Sequence, residues 1–303
     1  MLSSTADFSG YAFANGQIDR ADALRQDPAA LAAAWPQARV LVIDTDGTAF
    51  ADDHGQWFAL TGQMLGGGPG TAIFLGLLDG GPVFAVDAVH VAVNAPGRID
   101  LRQAAVTWPA AHSHLFAYAR GMSYWHSRNR FCGVCGDAVA FARGGFVGHC
   151  ARCGTEHYPR VDPAIIVAVH NNGRLLLGRQ ASWAPRRYSV LAGFVEPGET
   201  LEQTVAREVF EEARVRVLHS QYLGAQPWPF PGGLMLGFVA HANDDEPVVD
   251  DELEDARWFS HAEVGAALQR EANDDGQGIL PPPRISIARS LIEHWYRHHS
   301  QYG

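Results

Sequence analysis

Apolar residues in the first third of the chain occur in short runs whose pattern predicts β-strands, and turns rich in Gly and Asp separate these runs. Residues 109–128 change to a helical spacing, with Leu115, Ala119 and Met122 on one face. Strands are predicted over 39–43, 72–78 and 82–88. This part of the chain is therefore predicted to be an α/β domain, and it shows no constellation of catalytic residues.

The second half of the chain alternates strand-like and helix-like segments. Residues 164–178 predict a hairpin, because the Asn-Asn-Gly sequence at 171–173 supplies the positive φ that its turn needs. Thr200 and Gln203 predict a capping box that opens a helix over 200–215. Further strands are predicted over 188–195, 217–224, 234–240 and 256–259, and helices from 260 and over 285–298.

The chain contains four cysteines, all within 22 residues, as two Cys-x-x-Cys pairs separated by 14 residues. This spacing predicts a structural zinc site on a ribbon, because four thiolates leave no open coordination position. Two disulfides or a thioredoxin-like redox pair are the alternatives. An intracellular setting disfavours the first, and the lack of a surrounding βαβ pattern disfavours the second. The predicted ligands are Cys132, Cys135, Cys150 and Cys153.

A second group of ligand-type side chains lies in the predicted helix 200–215. Glu208, Glu211 and Glu212 stand at i, i+3 and i+4, so their carboxylates share one helical face. Like charges so placed repel one another, and a hard divalent cation with oxygen ligands removes the conflict. Taken alone, such a triplet is more often an exposed acidic surface. Beside a glycine-rich turn, it suits metal-assisted attack of water on a phosphoanhydride.

Composition narrows the class of protein further. With 303 residues the chain is long enough for two domains, and 18% charged residues are typical of a globular protein. The net charge of −10 disfavours binding through general phosphate attraction, so Mg²⁺ or Mn²⁺ would have to stand between carboxylates and a phosphate-bearing substrate. Residues 1–20 lack the pattern of a signal peptide or membrane anchor, which predicts a cytoplasmic protein without membrane association.

The segment from Gly193 to Val215 resembles the Nudix box, G-x5-E-x7-R-E-U-x-E-E-x-G-U, where U is apolar. One position departs from the box, because Arg214 stands where the last glycine is expected, and this concerns the local backbone more than the metal ligands. By resemblance, Arg207 and Glu199 form an orienting ion pair. The matching residues are Gly193, Glu199, Arg207, Glu208, Val209, Glu211, Glu212 and Val215.

The Nudix resemblance implies a reaction, hydrolysis of the diphosphate in a nucleoside diphosphate derivative, and a set of metal ligands. Glu208 and Glu212 are the leading ligands, and Glu211 is a ligand or the general base. Asp255 is a rival to the one ligand expected outside the box. The implied ligands of catalytic Mg²⁺ or Mn²⁺ are Glu208, Glu211, Glu212, the carbonyl of Ala192 and, outside the box, Glu252.

A second segment resembles the S-Q-P-W-P-F-P-x-S-x-M signature of the NAD(H) diphosphatase, or NADH pyrophosphatase, subgroup. Its two serines are replaced by Ala225 and Gly233, which removes two hydroxyls. A rigid Pro/aromatic wall against a flat heterocycle is one physical interpretation, and ordinary core packing of Trp228 and Phe230 is the other. The residues assigned to the substrate are Gln226, Pro227, Trp228, Pro229, Phe230, Pro231, Gly232, Gly233 and Met235.

The same resemblance assigns contacts outside this signature segment. Tyr158 and Phe194 match an aromatic pair that stacks on the two faces of adenine, although ordinary packing is an alternative for Tyr158. Ala288 matches a position whose backbone touches the substrate. Arg102 matches an arginine that reaches the ligand of the neighbouring subunit, and the resemblance implies a homodimer.

The subgroup resemblance implies an α+β fold, a Nudix α/β/α sandwich with a mixed sheet, preceded by a zinc ribbon and an N-terminal Nudix-like α/β domain. The expected domains are 1–128, 129–158 and 159–303. The expected reaction converts NADH or NAD⁺ to NMN(H) and AMP, and removes NAD caps from RNA. The alternatives are a Nudix hydrolase for ADP-ribose, FAD or a dinucleoside polyphosphate, a non-catalytic nucleotide sensor, and a zinc-ribbon nucleic-acid adaptor.

Overall fold

The computed structural model describes residues 8–14, 16–270, 274 and 276–298. The chain forms two compact units: an N-terminal unit of residues 12–161 and 227–232, and a C-terminal unit of residues 1–11, 162–226 and 233–303. In the described residues, every helix is too short or too polar to span a lipid bilayer.

The N-terminal unit is built on a mixed six-stranded sheet. Its strands are β1 (Arg39–Ile43), β2 (Ala49–Ala51), β3 (Leu60–Thr61), β4 (Ile73–Leu78), β5 (Gly81–Asp87) and β6 (Gly97–Ile99). They lie in the order β4-β5-β1-β2-β6, with β3 also paired to β1. β1 and β5 run parallel, and the other pairs are antiparallel. The predicted strands over 39–43, 72–78 and 82–88 are confirmed to within one residue at each end.

Helices cover this first sheet. They are α1 (Asp22–Arg25), α2 (Pro28–Ala34), α3 (Gly62–Leu65), α4 (Leu101–Thr107) and α5 (Ala110–Arg128). α5 begins directly after Pro109, as the helical spacing predicts, and its face with Leu115, Ala119 and Met122 is buried in the core. Residues after α5 form an antiparallel ribbon of β7 (Val139–Ala142), β8 (Val147–Cys150) and β9 (Glu156–His157).

The C-terminal unit contains a second mixed sheet. Its strands are β10 (Asp162–Asn171), β11 (Arg174–Arg179), β12 (Leu191–Phe194), β13 (Val217–Trp228), β14 (Gly233–Ala242) and β15 (Asp255–Ser260), and its helices are α6 (Leu201–Ala213), α7 (His261–Arg270) and α8 (Ile287–His298). One apolar core lies between the sheet and α6, and another lies between the sheet and the pair α7 and α8. The α/β/α sandwich with a mixed sheet is thereby confirmed.

Local signals predicted most of these elements. The β10–β11 turn has positive φ at Asn172 and Gly173, 47° and 69°, as a two-residue hairpin requires. The predicted strand over 188–195 forms only over Leu191–Phe194, because the amide of Tyr188 bonds instead to the carbonyl of Leu280. The last helix begins at residue 287 and not at 285.

The two sheets share one topology. The second has the order β13-β14-β10-β11-β15, with β12 also paired to β10, and this repeats the first sheet strand for strand. The helix after β12 is the 13-residue α6, whereas the helix after β3 is the four-residue α3, Gly-Gln-Met-Leu. The glutamate-bearing helix therefore has a counterpart in the N-terminal unit that is one turn long and carries no carboxylate.

Candidate active site

Helix α6 carries the glutamates, and a capping box fixes its first turn. The Thr200 hydroxyl accepts a hydrogen bond from the Gln203 amide at 3.3 Å, and the Gln203 side chain accepts one from the Thr200 amide at 2.8 Å. These bonds satisfy donors that a helix start leaves unpaired. Val205 and Val209 pack in the core between helix and sheet, which fixes the direction in which the glutamates project.

Glu208 lies against the strand that precedes the helix. A β-carbon on Gly193, in β12, would stand 1.8 Å from the Cδ atom of Glu208 and 2.0 Å from its Oε1 atom, far below the 3.0 Å limit for real contacts. β12 is held by its pairing with β10, where Gly193 lies opposite Ile165. The first glycine of the segment therefore makes room for a carboxylate.

Arg207 and Glu199 form a two-pronged ion pair. The Nε and Nη2 atoms of Arg207 donate to the two Glu199 oxygens at 2.6 and 2.9 Å, and Nη2 also donates to the Phe194 carbonyl at 2.9 Å. The Thr204 hydroxyl donates to the same carboxylate at 3.0 Å. The hydrogen bonds from Arg207 lower the pKa of Glu199 to about 2, so this group is ionised at neutral pH. Glu199 thus holds Arg207 in a fixed position.

The same arginine contacts two glutamates of the carboxylate face. The Nη1 atom of Arg207 lies 2.9 Å from Glu208 and 2.8 Å from Glu211. Its charge reduces the repulsion between these neighbours. Burial raises the pKa of Glu208, and the hydrogen bond from Arg207 opposes that rise. The Glu211 side chain is 54% exposed, so it remains accessible to water.

Glu212 is the most buried carboxylate of the helix. It is 6% exposed and accepts a hydrogen bond from the Ala192 amide, while its Oε2 atom has no partner among the residues that the structure describes. Burial raises the pKa of Glu212 to about 8, and the charges of Glu252 and Glu208 add to the rise. A buried carboxylate oxygen without a donor is costly, and a bound cation would remove that cost.

Glu252 approaches these glutamates from the loop before β15. Its charge raises the pKa of both Glu208 and Glu212, which places the three carboxylates within electrostatic range of one another. Its rival, Asp255, forms an ion pair with Arg257 at 2.7 Å. Its electrostatic effect on both glutamates, and the pairing of Asp255 with other side chains, favour Glu252 over Asp255 as the carboxylate that joins helix α6.

The glutamate oxygens remain spread out. Across the described ranges of the chain, only the cysteines bring three or more ligand atoms within 4.8 Å of one another. Glu208 and Glu211 share Arg207, and one buried oxygen of Glu212 lacks a donor. All of these carboxylates are hard oxygen ligands. This donor set fits a hard divalent cation better than a soft one.

Arg214 adopts the backbone conformation of the glycine that it replaces. Its φ of 56° and ψ of 20° are left-handed, and its amide donates to the Phe210 carbonyl at 2.9 Å. The helix therefore ends after Ala213 without being lengthened. The guanidinium pairs with Asp250, and this contact offsets part of the roughly 1 kcal/mol that a left-handed conformation costs a residue with a side chain.

The four cysteine sulfurs converge in the ribbon. None of them forms a disulfide, and the Sγ–Sγ distances are 3.6 Å for Cys132 and Cys153 and 3.5 Å for Cys135 and Cys150. Tetrahedral Zn–S bonds of about 2.3 Å place sulfurs about 3.8 Å apart, whereas a disulfide needs about 2.05 Å. The sulfur–sulfur distances fit one zinc ion, and they argue against both two disulfides and a redox pair.

The signature segment lies mostly in the N-terminal unit. Trp228 and Phe230 are half-buried against the core of that unit, next to two arginines. Arg120 donates to the Pro229 carbonyl, and the guanidinium carbon of Arg102 stands 3.9 Å from the centre of the Phe230 ring. The aromatic pair therefore packs as core on one side, and its remaining surface is bordered by guanidinium groups.

Gln226 is the first of the residues assigned to the substrate in this segment, and it is fully buried in the C-terminal unit. Its side-chain nitrogen donates to the Ile285 carbonyl at 2.7 Å, and its oxygen accepts from the Ile287 amide at 2.8 Å. Gln226 thus fixes the start of helix α8, which carries the buried Ala288. Met235 lies half-buried in β14 beside the same core.

The two aromatic residues assigned to adenine are both exposed. Tyr158 directly follows β9 in the N-terminal unit and is 59% exposed, and Phe194 ends β12 in the C-terminal unit and is 64% exposed. Neither ring is part of a core, which disfavours ordinary packing as the role of Tyr158. Each ring presents area to which a planar ligand could bind.

Three family models match consecutive parts of the chain. The NADH pyrophosphatase-like rudimentary NUDIX domain matches residues 28–125, and the NADH pyrophosphatase zinc ribbon domain matches residues 127–158. The NUDIX domain matches residues 159–280.

Relatives with known names cover nearly all of the sequence. NAD-capped RNA hydrolase NudC of Mycobacterium bovis (strain BCG / Pasteur 1173P2) is 39% identical over 287 residues, 91% of this chain and 92% of that protein. Human NAD-capped RNA hydrolase NUDT12 is 44% identical over 192 residues, 60% of this chain and 41% of that protein. A crystal structure of a NUDIX hydrolase from Nitrosomonas europaea covers 57% of this chain and 93% of its own, with 23% identity and a TM-score of 0.43. The chain belongs to the NADH pyrophosphatase subgroup of the Nudix hydrolases.

Membership in this subgroup explains the repeated topology of the two sheets. The N-terminal unit keeps the Nudix strand order but reduces the helix to α3, so it has no carboxylate face. The expected fold class, a Nudix sandwich preceded by a zinc ribbon and a Nudix-like α/β domain, is confirmed.

Two residues of this Nudix site were missed by sequence reasoning. Thr204 is fully buried, and its hydroxyl donates a hydrogen bond to Glu199. The signal for it in the sequence was a polar residue beside the apolar stripe of α6. Arg120 holds the Pro229 carbonyl and also donates to the Gly47 carbonyl at 3.2 Å. An arginine directly after Ala119, on the apolar face of α5, was the available signal.

Proposed function

We propose that the chain hydrolyses the diphosphate bond of NADH or NAD⁺ to give NMN(H) and AMP, and cleaves the same bond in NAD-capped RNA. One observation carries the proposal: the buried Glu212 oxygen without a donor, within electrostatic range of Glu208 and Glu252. Such a site is unfavourable without a cation and is well suited to one beside a diphosphate. The names of the mycobacterial and human relatives support the choice of substrate.

The catalytic cations in this proposal are Mg²⁺ or Mn²⁺. Their ligands would be Glu208, Glu212 and Glu252, with Glu211 and the Ala192 carbonyl as further donors. When bound, such ions neutralise phosphate charge and make water more acidic. The zinc ion held by the four cysteines is proposed to be structural, since a closed thiolate shell has no place for substrate.

The protein side chains then have distinct roles. Arg207, held by Glu199, positions Glu208 and Glu211 through its Nη1 atom. Glu211 uses one oxygen, Oε2, for that contact, and it is proposed as the general base that takes a proton from the attacking water at its other oxygen.

The substrate-binding assignments remain proposals. Tyr158 and Phe194 are proposed as adenine-binding residues, and the signature segment with Met235 as the nicotinamide-side surface, which Gln226 supports from a buried position. Ala288 would contribute its backbone, and Arg102 would act in a homodimer. We also propose a cytoplasmic location and three domains, 1–128, 129–158 and 159–303.

A substrate panel tests the proposal. NADH, NAD⁺, ADP-ribose, FAD and a dinucleoside tetraphosphate would be incubated with Mg²⁺ or Mn²⁺ and the products separated by chromatography. We expect NADH to rank first and to yield equal amounts of NMNH and AMP, with turnover abolished by a chelator that spares tightly bound zinc. A higher kcat/KM for ADP-ribose or FAD would reject NAD(H) specificity.

A matched pair of variants tests the glutamate assignment. Glu212→Gln should lower kcat at least about 100-fold. Glu202→Gln removes an exposed carboxylate from the first turn of the same helix and should leave kcat unchanged. Wild-type turnover by Glu212→Gln would refute the site, and NADH binding without turnover by the wild-type protein would favour a nucleotide sensor.

A further inference from the structure

A groove of about 1090 Å³ crosses the N-terminal unit between its six-stranded sheet and the zinc ribbon. None of its lining residues has a role in the site described above. Leu31, Ile73 and Phe84 lie on its sheet side and are almost fully buried, whereas Phe141 on the ribbon side is half-buried. The groove is large enough for an extended ligand.

This groove carries positive charge, although the protein as a whole carries negative charge. Arg25, Arg130 and Arg143 line it, whereas Asp87 is the one acidic residue among its described lining residues. The chain as a whole has a net charge of −10. Arg130 and Arg143 are exposed, and neither forms an ion pair or a side-chain hydrogen bond within the described part of the chain. Both guanidinium groups are therefore available to an anionic ligand.

An exposed aromatic ring stands beside these charges. Phe131 lines the groove and is 66% exposed, directly after Arg130. Positive charge along a groove, together with an accessible aromatic ring, is the combination that binds single-stranded nucleic acid without sequence preference.

The ribbon connects this groove to Tyr158. β9 pairs with β8 at His157 and Gly148, and β8 pairs with β7 at Val147 and Ala142. Tyr158 therefore lies at the end of the ribbon sheet where the β7–β8 turn carries Arg143. The hydrogen bond to Glu156 raises the pKa of the Tyr158 phenol, and the Arg143 charge opposes that rise, which agrees with the proximity of Arg143 and Tyr158. From this end, β7 leads along the groove towards Ala138, which pairs with Phe131.

We propose that this groove binds the single-stranded RNA body of an NAD-capped RNA. Arg143 would meet the first phosphates after the cap adenosine, and Arg130 and Phe131 would hold nucleotides further along. The inference rests on the proposed function, because the polynucleotide of such a substrate continues from the adenosine ribose. If Tyr158 binds the adenine, the RNA leaves the cap next to Arg143. Three groove residues thereby favour capped RNA over the free dinucleotide.

The experiment compares one enzyme on two substrates. kcat/KM would be measured for NADH and for NAD-capped RNAs with single-stranded bodies of roughly 2, 5, 10 and 20 nucleotides, a range that spans common single-strand site sizes. The test variant is Arg130→Gln/Arg143→Gln. The control is Arg128→Gln, an exposed arginine of α5 outside the groove lining.

We expect the wild-type kcat/KM to rise with RNA length and then level off. The double variant should lose about tenfold on the longest RNA, and its log–log salt slope should be shallower by about 1.4, since each contact to single-stranded phosphate contributes about 0.7. Phe131→Leu should lose about tenfold without a change in salt slope. NADH kcat/KM should stay within about twofold for these variants and for Arg128→Gln.

Binding measured without turnover separates this inference from the proposed function. Fluorescence anisotropy with an uncapped 5′-monophosphate RNA of about 20 nucleotides should show salt-dependent binding that the double variant weakens, even if NADH were not hydrolysed. Equal RNA binding by the wild type and the double variant would overturn the proposal. Equal losses on NADH and capped RNA would also overturn it, because the arginines would then act on the cap. Unchanged RNA binding with a lower oligomeric mass in Phe131→Leu would assign the groove to contacts between copies of the chain.

Discussion

The Glu208 carboxylate fills the space that a β-carbon on Gly193 would need, with Cδ 1.8 Å from that position. These residues are in different elements, a strand end and a helix, and the capping box fixes the helix independently. The absence of a side chain at Gly193 therefore determines where the Glu208 carboxylate lies. Glycine is required here by close approach and not by its φ angle.

Gly193→Ala should displace Glu208 and lower kcat/KM for NADH at least about 100-fold, because misplacement of about 1 Å is enough for such a loss. The measurement is steady-state kinetics with circular dichroism to show retained folding. Gly68→Ala is the control, since its β-carbon would meet nothing within 4 Å. Near-normal kinetics for Gly193→Ala would show that Glu208 has no fixed position in the active enzyme.

Arg207→Lys should lower kcat/KM about tenfold or more, because an ammonium cannot hold Glu199 with two bonds while also contacting Glu208 and Glu211. Arg216→Lys is the matched change at another two-bond pair, in which Arg216 Nε and Nη2 donate to Asp245 at 3.0 and 2.6 Å. Arg216 is 66% exposed, against 23% for Arg207, so solvent screening should make its replacement nearly neutral. Equal kinetic effects of the two changes would argue against a positioning role for Arg207.

Arg214→Gly should raise the free energy of unfolding by about 0.5–1 kcal/mol, because glycine adopts the left-handed conformation without the cost that a β-carbon imposes. Arg214→Ala keeps that cost and loses the ion pair with Asp250, so it should lower the free energy of unfolding slightly. Urea denaturation of both variants checks the pair of expectations. A lower stability for Arg214→Gly than for Arg214→Ala would show that the side-chain contacts outweigh the backbone cost.

Without divalent cations, Glu212 should contribute less stability at about pH 8 than at about pH 5.5. Burial raises the pKa of Glu212 from its ordinary 4.5 to about 8, so the folded state holds a proton through this range that the unfolded state releases. The free energy of unfolding of the wild type, minus that of Glu212→Gln, should therefore fall as pH rises, by on the order of 2 kcal/mol. The subtraction is needed because burial lowers the pKa of His112, His114 and His126, and these histidines make stability rise with pH up to about 6.5 in both proteins.

Urea denaturation in chelator at the two pH values, with and without added Mn²⁺, is the measurement. Mn²⁺ should restore stability at the higher pH, since it binds the ionised carboxylates. Glu212→Gln is measured in parallel and supplies the reference at each pH. A wild-type stability that rises with pH relative to Glu212→Gln would contradict the burial of an uncompensated carboxylate.

Elemental analysis of purified protein should give one zinc per chain, and Cys150→Ser should remove it, because a three-thiolate remnant binds zinc far more weakly. His149→Gln is the control, since this exposed neighbour lies outside the cysteine cluster. The cysteine variant should also melt several degrees lower. Full zinc content in Cys150→Ser would exclude the four-thiolate site.

Features set by residues close in sequence were predictable. The Thr200–Gln203 capping box and the positive φ of Asn172 and Gly173 follow from local chemistry, and the cysteine spacing encodes the ribbon site. The Nudix box spacing also predicts which glutamates share a helical face. In each case the partners are separated by a few residues or by a fixed motif length.

Features that depend on distant partners were not predictable from the pattern. β13 continues to Trp228, beyond its predicted end at 224, and its last two residues belong to the N-terminal unit. The contact from Arg120 to Pro229 joins residues 109 apart. The approach of Glu252 to the helix came from family resemblance, since no spacing rule relates a loop to a carboxylate face some forty residues earlier.

The polypeptide passes from one unit to the other at four places, after residues 11, 161, 226 and 232. The last two crossings bring Trp228 and Phe230 into a core formed by residues that come much earlier in the chain. A truncated protein that starts at residue 159 would therefore lose the core residues against which these two aromatic side chains pack, and would expose both side chains to water. Expressing the catalytic half by itself should yield an aggregation-prone product, so engineering of this enzyme is best done on the undivided chain.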